Sequence, residues 1–161
     1  MTSGEDDDLP YRTGVGIMLL NRTGEVFVGQ RIDTTMEAWQ LPQGGVDDGE
    51  DLETAALREL EEEIGTANIE VIARTQDWLS YDLPQNIRGK VWGGKFRGQR
   101  QIWYVMRFLG EDSEINIDTA HPEFRQWKWV TWDELDRIIV PFKRQLYKEL
   151  KDRFRHLTLK A

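Results

Sequence analysis

Three glutamates, Glu59, Glu62 and Glu63, stand at positions i, i+3 and i+4 of an unbroken run of helix-forming residues from 51 to 64. Such positions are neighbours on an α-helix, so the three carboxylates would share one face. Like charges this close cost stability unless a cation neutralises them, and Arg58 supplies only one positive charge. Because Mg²⁺ binds carboxylate oxygens and bridges to phosphates, the spacing indicates a metal site for phosphate chemistry.

The residues that flank this run decide between a functional helix and a merely solvated one. A glutamate-rich helix is more often just a solvated face, and the helix alone favours that interpretation. However, Gly44, Gly45 and Gly49 precede the run and Gly65 follows it. A solvated helix has no need of a glycine-rich entry loop, so the glycines favour a site for a metal and a diphosphate.

With its upstream loop, the run resembles the Nudix box, a glycine, a glutamate and an Arg-Glu-apolar-any-Glu-Glu-any-Gly core at fixed spacing. Gly44, Glu50 and the stretch RELEEEIG, which starts at Arg58, occupy those positions. The departure is Thr66, where the pattern has an aliphatic packing residue. The resemblance implies a hydrolase of nucleoside diphosphates linked to another group, with Mg²⁺ or Mn²⁺ as cofactor and more than one ion bound.

The same resemblance implies a role for each acid of the box. Glu50 and Arg58 would orient the metal-binding carboxylates without touching the metal themselves. Metals in such enzymes neutralise phosphate oxygens and activate a water, which the carboxylates position and deprotonate. The implied metal-binding residues are Glu59, Glu62, Glu63, Glu123 and Gly44, and the implied catalytic residues are Glu62, Glu63, Glu123 and Arg58.

Outside the box, from about Tyr11 to about Leu150, the chain resembles bacterial RNA pyrophosphohydrolases and the diadenosine tetraphosphate hydrolases of bacteria and plants. The matching stretches are YRTGVGI, WQLPQGG, YDLP, WGGKFRGQRQIWY, HPEF, WKWV and PFKRQLY. One departure is Ile102, where these families usually carry a lysine. A positive charge is therefore missing near the pocket, which leaves the polyphosphate preference open.

This wider resemblance assigns further residues. Glu123 resembles a loop glutamate that adds a metal ligand or acts as base, so Glu63 and Glu123 are both candidates for the general base. Phe142 resembles a residue that stacks on a nucleobase. Without the resemblance, these side chains would be interpreted as an exposed acid, surface charges and packing aromatics. The substrate-binding residues it implies are Arg12, Arg31, Gln43, Tyr81, Phe142 and Lys143.

Residues 84–110 contain six lysines and arginines and no acid, in a chain whose net charge is −8. Because such a chain repels nucleic acids on average, a phosphate-bearing substrate needs a divalent cation or a local reversal of sign. Cations interleaved with aromatics, here Trp92, are typical of single-stranded nucleic-acid binding. The stretch therefore predicts contacts between substrate phosphates and these cations, Lys95 among them. A solvated loop is the alternative, and Trp103 is predicted to lie in the core.

The elements that must position these residues follow from apolar periodicity and turn residues. Leu57, Leu60 and Ile64 share one sector of the acidic helix and are predicted to face the core. Strands that interleave unevenly with helices predict an α/β fold, the Nudix α/β/α sandwich with a mixed β-sheet. Predicted strands cover 15–20, 26–31, 69–75, 78–83, 100–109 and 126–130, predicted helices 51–64, 131–139 and 141–157, and predicted loops 38–50 and 84–99.

Composition bounds the remaining possibilities. The chain has no cysteine, no apolar run near the roughly 18 residues of a membrane span, and no secretory signal in its first ten residues. We therefore expect a cytoplasmic protein with a flexible acidic segment over 1–10 and one domain over 11–157. No membrane contact and no stable protein partner are indicated.

These features together predict a pyrophosphohydrolase that removes pyrophosphate from the 5′-triphosphate end of RNA and so initiates RNA decay. The close alternative is asymmetric cleavage of diadenosine tetraphosphate to ATP and AMP. A housecleaning nucleoside triphosphatase is disfavoured by the long basic loop. A non-catalytic sensor of nucleotide or RNA is disfavoured because Glu50, Glu59, Glu62 and Glu63 are all present.

Overall fold

A computed structural model of the chain describes residues 8–32, 39–120 and 122–158. A seven-stranded mixed sheet forms its centre, in the order β4-β6-β1-β2-β7, with β3 beside β1 and β5 beside β6. The strands are β1 (Tyr11–Leu20), β2 (Val26–Arg31), β3 (Gln43–Gly45), β4 (Ile69–Arg74), β5 (Leu79–Asp82), β6 (Gly98–Phe108) and β7 (Phe124–Val130).

The strands β1 and β6 form the longest pairing of the sheet and run parallel, whereas the other strand pairs are antiparallel. On its other edge, β1 is shared between two partners. β3 pairs with its first half, from Gly14 to Gly16, whereas β2 joins at Leu20. The loop that enters the acidic helix is thereby hydrogen-bonded to the sheet before the helix begins.

Helices cover both faces of the sheet. Helix α1 (Leu52–Ile64) packs on one face through Ala56, Leu60 and Ile64, and the last two helices of the chain pack on the other. The predicted α/β/α sandwich with a mixed sheet is confirmed. The remaining helices are α2 (Gln85–Arg88), α3 (Trp132–Ile138) and α4 (Arg144–Thr158), with 3₁₀ turns at Trp92–Gly94, Asp112–Glu114 and Pro141–Lys143.

Helix α1 has the predicted ends but not the predicted buried face. Asp51 caps its first turn by accepting from the Thr54 amide, and Gly65 ends it in the left-handed conformation. The placement of Leu57 in the core was wrong, since this residue is 37% exposed. At 100° per residue the buried sector centres on positions 56, 60 and 63, so Leu57 falls at its edge. Glu63 occupies the buried sector instead.

Two predicted loops contain regular structure. The segment 38–50 includes β3, and 84–99 includes α2, a 3₁₀ turn and the start of β6. Short elements of this kind carry too few residues to show a period in the sequence. Residues 1–7 of the predicted flexible start lie outside the described residues. Within the described part of the chain, no helix is both long and apolar enough to cross a bilayer.

Candidate active site

A cavity of about 340 Å³ opens where the start of β1, β3 and α1 meet the segment that follows β5. It brings together nine of the residues predicted from the sequence, from well-separated parts of the chain. The predicted residues in its lining are Arg12, Arg31, Gln43, Gly44, Glu59, Tyr81, Glu123, Phe142 and Lys143, and the others are Gln40, Gly45, Leu83, Ile87, Val91 and Trp92.

Glu63 lies beneath this lining and is only 3% exposed. One of its carboxylate oxygens, Oε2, is buried without a hydrogen-bond partner in the described structure. Burial raises the pKa of Glu63 well above its ordinary value, and the nearby charges of Glu59 and Glu123 raise it further. A buried carboxylate of this kind is stabilised either by a proton or by a cation.

Arg58 holds the acids around Glu63 in place. Its guanidinium donates twice to Glu50 at 2.8 Å, and it also donates to Glu59 at 3.0 Å and to Glu62 at 3.4 Å. The paired arginine and the Asp47 amide lower the pKa of Glu50 to about 2, so Glu50 stays ionised. Glu50 and Arg58 thus form a rigid charged pair from which Glu59 and Glu62 are oriented.

A divalent cation fits this donor set. The unpartnered oxygen of Glu63 and the largely buried carboxylate of Glu59 are hard oxygen donors, close enough for the charge of each to act on the other. Among residues 8–32, 39–120 and 122–158, no three acidic or histidine side chains are already gathered in metal-binding geometry. In the described structure the carboxylates of Glu59 and Glu62 both accept from the Arg58 guanidinium.

The two adjacent glycines of β3 allow side chains to lie against the backbone. A Cβ at Gly44 would overlap the Glu59 carboxylate, and a Cβ at Gly45 would overlap the Arg12 guanidinium. Neither glycine has a positive φ, so the requirement is for space and not for backbone freedom. The close approach therefore places one acid and one arginine at the same edge of the cavity.

The predicted substrate-binding arginines lie on the walls of the cavity. Arg12 stacks over the ring of Trp92 at 5.0 Å. Arg31 forms an ion pair with Glu123 at 3.3 Å, and both side chains are partly exposed. The shift of register between β2 and β7 at Arg31 brings that arginine beside the loop acid. Two arginines and two acids thus share the charged side of the cavity.

Lys143 is buried, at 4% exposure, and donates to Gln40 at 2.8 Å and to Gln43 at 2.9 Å. Burial lowers its pKa to about 7, and the positive charge of Arg31 acts in the same direction. The sequence placed Lys143 at the substrate but gave no indication that it would be buried. Its ammonium fixes the side chain of Gln43, which lies beside Gly44 on the cavity wall.

We expect Lys143 to make the free energy of unfolding depend on pH. Because the pKa is near 7 in the folded state and near 10.5 when unfolded, the unfolded chain binds more protons between these values. Stability should therefore rise with pH across this window, by on the order of a few kcal/mol. Urea unfolding at several pH values should show this rise for the wild type and for Lys148→Met, an exposed control, but not for Lys143→Met. Parallel pH profiles for all three proteins would contradict the assignment.

A buried glutamine network continues from Gln43 into the sheet. Gln101 donates to Gln43 at 3.2 Å and to Gln99 at 2.8 Å, and it accepts from Trp103 Nε1 at 3.0 Å. The Tyr81 hydroxyl donates to Gln99 at 3.2 Å. This network was not predicted from the sequence. The one indication in the sequence was that Gln99, Gln101 and Trp103 of β6, which all carry hydrogen-bonding side chains, alternate along the strand and so lie on one face of the sheet.

The acid-free stretch is not a continuous track of available cations. Arg88 is buried and bonded to the Leu83 carbonyl, and both Arg88 and Arg97 pair with Asp82. The predicted phosphate role for these two arginines is not supported, because their countercharge lies just upstream of the stretch. Lys95 is exposed and lies outside the cavity lining, so its substrate contact stays a prediction.

Other residues singled out from the sequence lie in the core or outside the cavity lining. Trp103 is fully buried, as predicted. Ile102 is buried in the core cluster beneath α1 and does not line the cavity, so the departure from lysine removes no charge from the cavity wall. Glu50, Arg58, Glu62 and Glu63 also lie outside the lining, behind or beside Glu59.

The carboxylate-bearing helix, the glycine pair against it and the arginines across the cavity define a hydrolase of phosphoric anhydride bonds on an α/β/α sandwich. The chain belongs to the Nudix family, because the family model described as NUDIX domain matches residues 10–150. Nudix hydrolases generally need divalent metal ions, and the buried carboxylates of Glu59 and Glu63 are donors of the kind that such ions bind.

Curated relatives are similar over most of their length. The RNA pyrophosphohydrolase of Sphingopyxis alaskensis is 57% identical over 152 residues, which cover 93% of this chain and 96% of the relative. That of Rhodospirillum rubrum is 59% identical over 142 residues, which cover 88% of this chain and 86% of the relative.

Solved structures share the fold at low identity. The dihydroneopterin triphosphate pyrophosphohydrolase of E. coli has a TM-score of 0.65 at 19% identity and covers 87% of this chain and 96% of its own. A C. elegans Ap4A hydrolase has a TM-score of 0.62 at 18% identity, with coverage of 89% and 98%. These similarities bear on the fold alone.

Proposed function

We propose that this protein is an RNA pyrophosphohydrolase, which cleaves pyrophosphate from the 5′-triphosphate end of RNA and leaves a 5′-monophosphate end that initiates decay. The observation that carries the proposal is the high identity, 57% over 152 residues, to a curated relative of that name. A single Nudix domain over residues 11–157 is part of the proposal, supported by the family match over most of that range.

The metal site belongs to the same proposal. Glu59, Glu62, Glu63, Glu123 and Gly44 would hold Mg²⁺ or Mn²⁺, as more than one ion. When bound, such ions neutralise phosphate oxygens and make a water more acidic. The orphaned, buried oxygen of Glu63 supports this assignment, since it is an acceptor with no partner within the described structure.

The chain's own side chains then bind the substrate and accept a proton. Arg12 and Arg31 would neutralise the triphosphate, and Gln43 and Tyr81, which are hydrogen-bonded to each other, would donate to its oxygens. Glu63 and Glu123 both stay candidates for the base that takes the proton from the attacking water. Glu123 is the more accessible, whereas Glu63 has the strongly raised pKa.

Cleavage of diadenosine tetraphosphate is the second candidate. The cavity joins a charged side to an apolar side, and this combination suits any polyphosphate that carries a nucleoside. The two candidates differ in what continues beyond the phosphates, a second adenosine or a further length of RNA.

A direct competition tests the proposal. Triphosphorylated RNA and diadenosine tetraphosphate are mixed with the enzyme and Mg²⁺, and the two kcat/KM values are compared. We expect RNA to be preferred by at least about tenfold, a difference of about 1.4 kcal/mol in transition-state binding. A preference for diadenosine tetraphosphate would transfer the function to the alternative. Glu63→Gln in parallel shows how much turnover comes from contaminating hydrolases.

A further inference from the structure

The two arginines of the cavity lining are held by different groups. Arg31 forms an ion pair with Glu123 at 3.3 Å. Among the described residues, the Arg12 side chain has neither an ion pair nor a hydrogen bond. Its guanidinium instead lies over the ring of Trp92, 5.0 Å from the ring centre. Within the described structure, an aromatic face and not a carboxylate therefore fixes the position of Arg12.

The backbone of β3 gives the guanidinium its second contact. Arg12 itself belongs to β1, where it pairs with Gln99 of β6. A Cβ at Gly45 would overlap the terminal nitrogen of Arg12, so that nitrogen lies directly against the strand. The long arginine side chain is thus confined at both of its ends, at the sheet by its backbone and at the cavity by an indole and a glycine.

Trp92 is itself held in an unusual conformation. Its φ of 50° is the only positive value of a residue other than glycine among the described residues, and Gly93 and Gly94 continue the left-handed turn. This conformation is unfavourable for a bulky side chain, so the surroundings impose it. Phe96 packs edge-on against the indole, with ring centres 6.2 Å apart. The ring is therefore fixed before any ligand binds.

The segment that carries Trp92 is anchored to the rest of the fold. The Gly94 amide donates to the Val91 carbonyl at 3.0 Å and closes the turn. The Leu83 amide donates to the Arg97 carbonyl at 2.8 Å, and the buried Arg88 donates to the Leu83 carbonyl at 2.9 Å. A support that is rigid in advance reduces the entropy lost when a ligand binds to the group it holds.

We propose that Trp92 is a positioning residue, which holds the Arg12 guanidinium ready for a phosphate group of the substrate. The inference rests on the proposed function at one point, the binding of substrate phosphate by Arg12. A carboxylate in the place of the indole would neutralise the guanidinium and occupy its N–H groups. An aromatic face attracts the same cation but leaves its charge and its N–H groups available for phosphate oxygens.

The test uses a ligand that has phosphates but no sugar and no base. Imidodiphosphate, in which a P–N–P link replaces the anhydride oxygen of pyrophosphate, is titrated calorimetrically in the presence of Mg²⁺. Dissociation constants are measured for the wild type, Trp92→Phe, Trp92→Leu and Trp78→Leu, and kcat and KM are measured with triphosphorylated RNA. Trp78 is the matched control, since it also lies against an arginine, Arg100 at 4.3 Å, but outside the cavity.

Trp92→Leu should weaken imidodiphosphate binding by roughly 3- to 30-fold and raise the KM for RNA by a similar factor, with kcat within about twofold. Trp92→Phe, which keeps a smaller aromatic face, should lie between Trp92→Leu and the wild type, and Trp78→Leu should match the wild type. Unchanged imidodiphosphate binding in Trp92→Leu overturns the inference, even if RNA is bound more weakly, because the indole would then act on another part of the substrate.

A double-mutant cycle shows whether Trp92 acts through Arg12. In an Arg12→Gln background, Trp92→Leu should cause no further loss of imidodiphosphate affinity. Losses that add would mean that the tryptophan supports the cavity in some other way, and the inference would fall. Thermal melting establishes that each variant is folded, and Trp92→Phe takes the place of Trp92→Leu in the cycle if the leucine variant is not.

The two proposals fail separately. If the wild type does not hydrolyse triphosphorylated RNA, the proposed function fails, but a loss of imidodiphosphate affinity in Trp92→Leu that depends on Arg12 still supports the positioning role. If RNA is hydrolysed and imidodiphosphate binding is the same in Trp92→Leu as in the wild type, the function stands and the positioning role is refuted.

Discussion

Replacing Glu63 by glutamine is expected to lower kcat by at least about 100-fold while raising the thermal stability of the metal-depleted protein. Both effects have one physical cause. Glu63 is a buried carboxylate close to the charges of Glu59 and Glu123, and one of its oxygens has no hydrogen-bond partner in the described structure. An amide of the same shape removes the repulsion, and with it the charge that a divalent cation would require.

Glu63 should also make the stability of the metal-depleted protein depend on pH. The pKa of Glu63 is raised in the folded protein, so above the ordinary carboxyl range the folded state binds more protons than the unfolded state. In a chelating buffer, the stability contributed by Glu63 is therefore present at low pH and lost as the pH rises. Glu63→Gln should remove that loss.

Thermal melts with EDTA and with Mg²⁺, across a range of pH, measure the effects on stability, and steady-state kinetics measure kcat. Glu61→Gln is the matched control, because Glu61 lies on the same helix with its side chain exposed. The wild type and Glu61→Gln should both be stabilised by Mg²⁺, and Glu63→Gln should gain much less. Full turnover in Glu63→Gln, or the same gain from Mg²⁺ as in the wild type, would remove Glu63 from the metal site.

The part of the site that could be predicted from the sequence is the part encoded by local spacing. Asp51 and Gly65 mark the helix ends, and the i, i+3, i+4 pattern groups Glu59 with Glu62 and Glu63, so one segment specifies its own geometry. The sheet was predictable for the same reason, since runs such as Val26–Arg31 show their apolar character directly.

What could not be predicted depends on residues far apart in the chain. The link from Lys143 to Gln40 joins residues separated by 103 positions, and nothing local marks either as buried. The net charge of a stretch of sequence also misleads, because Asp82 lies just before the acid-free stretch and forms ion pairs with both Arg88 and Arg97. Prediction can fail even within one helix. Apolar residues are expected to face the core and acids to face solvent, but here Glu63 is buried and Leu57 is exposed.

Replacing Gly44 by alanine is expected to lower kcat by roughly 10- to 100-fold with little loss of stability. The added Cβ would occupy the space of the Glu59 carboxylate. Because that carboxylate is the far end of a flexible side chain, it can rotate away at small cost to folding. The acid then loses its place on the cavity wall, although the helix that carries it stays intact.

Two other glycines separate the effect of space from that of backbone conformation. Gly49 has a φ of 77° and no neighbouring atom within 4 Å of the position that a Cβ would take, so Gly49→Ala should cost about 1–2 kcal/mol of stability from strain alone. Gly89 has an ordinary φ of −71° and is equally open, so Gly89→Ala should change neither stability nor turnover. Gly44→Ala should be the only one of the three that lowers kcat strongly without lowering the melting temperature.

A double-mutant cycle tests whether Gly44 acts through Glu59. If the Cβ lowers turnover only by displacing the Glu59 carboxylate, then Glu59→Gln should already have lost what Gly44→Ala removes. The double variant should therefore be no slower than Glu59→Gln alone, and the two single losses should not add. Losses that add would show that the glycine acts in another way, through its own carbonyl or through the path of β3. The cycle thus distinguishes a glycine needed for the space it leaves from one needed for the atoms it presents.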